Sequence, residues 1–292
     1  MLQNPGGSLK ELLKKDGIIV APGVYDGISG VVIEQAGFEA AYLTGAGVAA
    51  SAIGEPDIGL TSATEIAQVA KVVTTKLNIP LICDADTGFG NALNVIRTVH
   101  ELERAGVAAV QMEDQVMPKR CGHLSGKVIV PADEMIQKMR AAVNEKFYKD
   151  TCIIARTDAR AVSGFDDAIE RAKQYIDTGI DVLFFEAPQS VYEVEKVGKL
   201  LGDRVALLSN QVYGGRTPSL TTKELEQMGY KIVIFPSTMP YAATVLLRQV
   251  ADRLKERGSD KEVIPGGDNA MDQFITMGLK EWQALEQKYK SE

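Results

Sequence analysis

The sequence predicts an α/β chain closed into a parallel (β/α)8, or TIM, barrel, and three observations carry that expectation. Eight short runs rich in Val, Ile, Leu and Phe recur between residues 18 and 235. Helical periodicity fills most of the intervals between them. The passage from helix into strand repeats almost literally, as Ala36-Gly37-Phe38, Ala105-Gly106-Val107 and Thr178-Gly179-Ile180. A helix–glycine–strand joint used repeatedly is one supersecondary unit, and eight such units in about 240 residues fit a closed barrel. An open doubly wound sheet is the competing architecture, but it usually has fewer strands.

Residues 1–8 are polar and glycine-rich and read as a loose end, with Ser8 as N-cap to a helical face of Leu9, Leu12 and Leu13. Strands are expected at 18–21, 40–43, 81–83, 109–112, 152–155, 182–185, 205–208 and 232–235. Helical patterns lie at 28–36, 64–77, 93–105, 133–147, 166–178, 192–201 and 222–228, several of them stopped by a glycine at the expected C-terminal position. After the eighth strand, 241–256 reads as a long amphipathic helix and 258–269 as a polar break. Residues 271–290 read as a terminal helical pair. Phe274, Met277, Leu279, Trp282, Leu285 and Tyr289 give that pair more apolar surface than an outer helix needs, so it is expected to pack on a neighbouring subunit. No low-complexity linker divides the chain. Residues 1–292 therefore read as one barrel domain, with 241–292 as a helical extension used in oligomerisation.

The bulk properties exclude several function classes. A formal net charge of -7 at pH 7 over 292 residues offers no basic face for nucleic acid or an anionic membrane. No apolar stretch approaches a membrane span, and the N-terminus lacks the apolar core of a signal peptide. Three cysteines in so long a chain do not make a disulfide framework. A cytoplasmic location is the expectation.

In a parallel barrel the chemistry sits at the carboxyl ends of the strands. Six consecutive strand ends are polar here: Thr44-Gly45-Ala46, Asp84-Ala85-Asp86, Glu113-Asp114, Arg156-Thr157-Asp158, Glu186 and Asn210. Asp84 and Asp86, two apart, would share a side of an extended strand, with Glu113 next door and Asp57 within reach on the loop after strand 2. Any one carboxylate could be a helix cap, but several together repel unless a cation sits among them. Hard oxygen ligands suit Mg²⁺, or Mn²⁺ by the same criteria. The TGAGVAA segment after strand 2 superficially matches a dinucleotide fingerprint, but Gly54 and Pro56 arrive too soon for the helix that the fingerprint needs. Backbone N–H groups that bind a substrate carboxylate are the better reading. The segment Lys119-Arg120-Cys121-Gly122-His123-Leu124-Ser125-Gly126-Lys127 sets a thiol and an imidazole among cations on a loop. Those cations favour the Cys121 thiolate, whereas Cys83 and Cys152 lie in apolar strands and read as core. His100, in mid-helix, reads as structural.

These residues give the chain its resemblance to the isocitrate lyase/phosphoenolpyruvate mutase superfamily, through GEPDIG at 54–59, DADTGFG at 84–90, QMEDQ at 111–115, KRCGH at 119–123 and ARTDA at 155–159. The resemblance implies a Mg²⁺-dependent barrel that forms a homotetramer with C-terminal helices exchanged between subunits. It implies Asp84 as direct metal ligand, with Asp57, Asp86 and Glu113 holding metal-bound water. Thr44, Gly45 and Ala46 are implied as the turn that holds a substrate carboxylate, with Tyr42 beside it. Arg156 and Asn210 would contact substrate oxygens, Glu186 would orient them, and Cys121 would be the lyase cysteine on a closing loop. The implied reaction is carbon–carbon cleavage of a dicarboxylate or tricarboxylate. Tyr42 or Glu113 takes the hydroxyl proton, Arg156, His123 and Asn210 stabilise the departing enediolate, and Cys121 protonates its carbon. The segment 236–241 holds no cation for a third carboxylate, and Tyr213-Gly214-Gly215-Arg216-Thr217-Pro218 is similar to the branch that cleaves 2,3-dimethylmalate. A substituted malate is therefore the expected substrate, with 2-methylisocitrate next. Oxaloacetate hydrolase, phosphonopyruvate-type or carboxyphosphonoenolpyruvate mutase chemistry, and a catalytically silent diacid-binding barrel are the remaining alternatives.

Overall fold

A computed structural model describes residues 2–122, 124–267 and 269–290. His123, expected at the site, lies outside the described residues. Eight parallel strands close on themselves in sequence order: β1 (Ile19–Val24), β2 (Ala41–Leu43), β3 (Leu81–Asp84), β4 (Ala109–Glu113), β5 (Cys152–Thr157), β6 (Val182–Phe185), β7 (Ala206–Asn210) and β8 (Ile232–Phe235). The seam pairs β1 with β8, from Ile19 against Ile232 to Pro22 against Phe235. The helices in chain order are α1 (Pro5–Lys14), α2 (Gly27–Gln35), α3 (Gly45–Val48), α4 (Ala63–Lys76), α5 (Ala92–Arg104), α6 (Ala132–Glu145), α7 (Phe165–Ile176), α8 (Val191–Leu201), α9 (Thr222–Gln227), α10 (Thr238–Arg257), α11 (Met271–Thr276) and α12 (Leu279–Tyr289).

Strand alternation divides the core in two. Leu43, Leu81, Cys83, Val110, Met112, Ile153, Leu183, Leu207 and Val233 face the helices in the larger cluster. Tyr42, Ile82, Ala109, Ile154, Phe184, Leu208, Ile232 and Ile234 fill the barrel. Because side chains alternate with period two, the inward stripe on β2 to β7 runs on to Thr44, Asp84, Gln111 and then Glu113, Arg156, Glu186 and Asn210. The inward stripe thus changes from apolar to polar at the carboxyl rim.

Two expectations about local structure are corrected. Residues 4–8, expected in a loose end, are ordered into a capped helix. The helix starts at Pro5, capped by the Asn4 side chain rather than by Ser8. Its Leu9 and Leu12 join the barrel-interior cluster, so α1 closes the amino-terminal end of the barrel. Gly6 permits this, since a Cβ there would lie 2.4 Å from the Asp150 carbonyl oxygen. The segment after Thr44 does form a helical turn, α3 followed by a π-helical stretch at Ala49–Ile53, capped by Thr44. Gly54, at φ +70, ends that turn rather than preventing it.

The chain separates into two compact units, one ending at Met239 and the other beginning at Pro240. The second unit is helical and displays Tyr241, Leu247, Phe274, Trp282 and Tyr289 at more than half exposure. Among the described residues no helix is long and apolar enough to cross a membrane.

Candidate active site

The strand ladders set the first contacts at the rim. Asp84 on β3 pairs with Gln111 on β4, and Glu113 on β4 with Arg156 on β5. Arg156 Nη1 lies 3.2 Å from Glu113 Oε2. Gln111 Nε2 donates to Asp84 Oδ1 at 3.4 Å, while Gln111 Oε1 accepts from the Tyr42 hydroxyl at 2.5 Å. Burial, with Asp84 nearby, pushes the Tyr42 hydroxyl well above its ordinary pKa, so it acts as a donor here.

Asp86 reaches the site by a different route from the one the sequence suggested. Strand β3 ends at Asp84, and Asp86 stands at φ +47 beyond it. A left-handed turn therefore sets its direction, and its backbone N–H donates to Asp84 Oδ1 at 3.1 Å. Lys119 then enters between the carboxylates, with Nζ 2.5 Å from Asp57 Oδ1 and 2.8 Å from Asp86 Oδ1. As placed, no three acidic, histidine or cysteine side chains among the described residues converge on one point as metal ligands. The ammonium supplies part of the countercharge instead. Burial would strip Lys119 of its proton, but Asp86, Glu113 and Asp84 together raise its pKa well above the ordinary value.

The corner is still undersatisfied. The oxygens of Asp86 and Glu113 are buried, and the partners they have are the ion pairs to Lys119 and Arg156. Burial raises Asp86 to about 6 against the pull of Lys119, and it pushes Glu113 well above the carboxylate range with Arg156 opposing. Space is kept open beside them. A Cβ on Gly45 would lie 2.8 Å from Asp84 Oδ2 and 3.4 Å from Asp86 Oδ1. The Gly45 N–H donates to Asp84 Oδ2 at 3.3 Å. Clustered buried carboxylates whose charge Lys119 and Arg156 only partly offset, beside a space that glycine leaves free, fit a hard divalent cation.

The opposite side is organised by Arg156. Its Nε and Nη2 donate to Asp158 at 2.9 and 3.1 Å, and Glu186 Oε1 lies 3.9 Å from Nη2. Asn210 Nδ2 donates to both Glu186 oxygens at 3.4 and 3.3 Å. The KRCGH loop rests directly on this group, for a Cβ on Gly122 would fall 1.9 Å from Glu186 Oε1. Tyr42, Thr44, Ala46, Asp57, Asp84, Cys121, Arg156, Glu186 and Asn210 line one cavity of about 80 Å³, whereas Gly45, Asp86 and Glu113, also named from the sequence, do not line it. Its remaining wall is largely apolar: Phe184, Val212, Ile234 and Pro236, with Ser237. Among the described lining residues the cations are Lys119 and Arg156, both ion-paired.

Sequence reasoning missed Gln111, the insertion of Lys119, and Lys127 with Asp158. Gln111 was legible in principle, because it occupies the inward position two residues before Glu113. The lysine placements carry no periodic signal. His100 is remote from the rim, stacked on Phe147 at 3.5 Å between ring centroids, with a ring nitrogen 2.6 Å from the Glu145 carbonyl oxygen. Cys83 and Cys152 are buried in β3 and β5.

A (β/α)8 barrel with an acidic corner, a paired arginine and a cysteine-bearing loop over its carboxyl rim defines an enzyme for small anionic substrates. The chain belongs to the phosphoenolpyruvate mutase/isocitrate lyase superfamily: a family profile described as phosphoenolpyruvate phosphomutase matches residues 9–255. It is 41% identical to a 2,3-dimethylmalate lyase of Eubacterium barkeri, over 98% of each chain. It is 44% identical to a 2-methylisocitrate lyase of Aeropyrum pernix, over 90% of this chain and 84% of that one. Among solved structures, oxaloacetate acetylhydrolase bound to 3,3-difluorooxalacetate superposes with a TM-score of 0.93 at 36% identity, covering 98% of this chain and 97% of the other.

Proposed function

We propose that the protein is a divalent-metal-dependent carbon–carbon lyase that cleaves a substituted malate of the 2,3-dimethylmalate kind into pyruvate and propionate. The carrying observation is the cavity itself. It brings Cys121, Arg156, Asp57 and Asp84 together with the apolar Val212, Ile234 and Pro236. The apolar wall suits alkyl substituents, and neither lining cation is free to take a third carboxylate.

Asp84, Asp86, Asp57 and Glu113 would hold the cation, Mg²⁺ or Mn²⁺. Bound there, it would make the substrate's 2-hydroxyl more acidic and neutralise the adjacent carboxylate. Glu113 accepts the hydroxyl proton, burial raising its basicity while Arg156 pairs with it at Oε2. The C2–C3 bond then breaks, its electron pair leaving on the C3 fragment as the enediolate of propionate while C2 becomes the pyruvate carbonyl. Arg156 and Asn210, fixed by Glu186, stabilise the enediolate charge, and Tyr42 remains a donor. The turn Thr44-Gly45-Ala46 borders the carboxylate of the pyruvate half. Cys121 delivers a proton to the enediolate carbon, and the loop that carries it keeps solvent from doing so first.

The test is a substrate panel on purified protein with Mg²⁺, read as 2-oxo acid released. Pyruvate should appear from 2,3-dimethylmalate and disappear with EDTA. Cys121→Ser should lower kcat by about 10²-fold or more, the scale for losing a general acid. Oxalate from oxaloacetate with no 2-oxo acid from any alkylmalate would refute the lyase reading. Pyruvate with succinate from 2-methylisocitrate is the second reading, favoured by the 44% identity to the Aeropyrum enzyme. We further propose a cytoplasmic homotetramer. The exposed Phe274, Trp282 and Tyr289 supply the apolar contact, and light scattering of the intact protein tests it.

A further inference from the structure

We propose that Lys127 is a positioning residue that sets the Cys121 loop in register over Arg156 by way of Asp158, an inference that rests on the proposed role of Cys121 as proton donor. Lys127 does not line the cavity. It is nevertheless buried, and its Nζ donates to Asp158 Oδ1 and to the Gly122 carbonyl oxygen, each at 2.6 Å. Gly122 follows Cys121 directly, so the lysine holds the chain one residue beyond the thiol.

Its partner Asp158 is fully buried and joins three parts of the site. It accepts from Arg156 through two bonds and from Lys127. Its own backbone N–H is anchored on Asp114 Oδ1 at 2.8 Å, so that β4 holds the turn after β5. A buried ammonium is costly unless paired. Lys127 reaches Asp158 only when the loop lies on the barrel, because Lys127 and Gly122 belong to the loop and Asp158 to the barrel. Loop seating and charge pairing are therefore one event, and the carboxylate that receives the loop is the one that aims the guanidinium. A second contact agrees with this placement: Lys119, at the loop's other end, is seated on Asp57 and Asp86.

The experiment is alkylation of the full-length protein by iodoacetamide, followed at each cysteine by mass spectrometry, on wild type, Lys127→Met and Lys127→Gln. Cys83 and Cys152 are buried and serve as internal controls for global loosening. Cys121 should react about tenfold faster or more in Lys127→Met, the change expected when a closed state loses its differential contacts. Lys127→Gln, which keeps a donor, should fall between. The controls should stay unmodified, and kcat should fall about 10²-fold with KM changed far less, as for a misplaced reacting group. An unchanged Cys121 rate in a folded variant overturns the proposal, and so does equal acceleration at all three cysteines. If Lys127→Met does not fold, Lys127→Gln carries the same comparison. Should wild type release no 2-oxo acid from any substrate, the lyase reading fails while the alkylation rates still decide the role of Lys127.

Discussion

Replacing Gly122 by alanine adds one carbon where the structure has no room for it. The new Cβ would lie 1.9 Å from Glu186 Oε1 and 2.6 Å from Arg156 Nη2. Comfortable C···O contact begins near ~3.3 Å, so something must move by about 1.4 Å. Glu186 is poorly placed to yield, since it is buried and Asn210 donates to both its oxygens. Arg156 is held by two bonds to Asp158. The loop is the softer partner, and its displacement carries Cys121 away from the cavity. A shift of an ångström between reacting groups typically lowers the rate by about 10²-fold, and kcat for 2-oxo acid release should fall by that much while KM changes little. Stability should fall as well, by about 1–3 kcal/mol, the usual cost of overpacking at a buried position. Steady-state kinetics beside a thermal melt separate the two effects. A folded Gly122→Ala enzyme with kcat within threefold of wild type would refute the seating of the loop on Glu186.

Asp158 should make the protein sensitive to acid. Burial alone would raise its carboxyl, but Arg156 and Lys127 outweigh burial and hold it at about 2. Its folded pKa lies below the unfolded one, so its contribution of about 2 kcal/mol is present above pH 4 and lost as pH falls through 2. Urea unfolding at several pH values should show a shallower loss for Asp158→Asn over that window, and an identical slope would contradict this. Gly198→Ala should cost about 3 kcal/mol in denaturant unfolding, because its Cβ would lie 1.8 Å from the Met228 carbonyl oxygen on a neighbouring backbone. An unchanged midpoint would mean that α8 is not packed this closely. Tyr175→Phe removes a buried donor to Asp114 Oδ2 at 2.9 Å, and the same measurement should register a loss of about 1 kcal/mol.

The sequence by itself determined the barrel and most of its rim. Apolar runs such as Leu81-Ile82-Cys83 mark the strands, the polar residue that ends each run, here Asp84, sets which alternate positions face inward, and a parallel barrel gathers those ends at one rim. Thr44, Asp84, Glu113, Arg156, Glu186 and Asn210 follow from that rule alone. What the tertiary structure decided lies in segments without a period. The left-handed turn at Asp86, the helical turn after Thr44 and the plugging of the barrel by α1 depend on local backbone choices and on space left by distant residues. Lys119 meets Asp57 across 62 positions of sequence, and Lys127 meets Asp158 across 31. Either lysine, read in the sequence, is one more cation beside a cysteine. Only the folded loop shows them as buried charges, because pairing in a low-dielectric interior depends on which carboxylate lies within reach, and sequence spacing does not encode that distance.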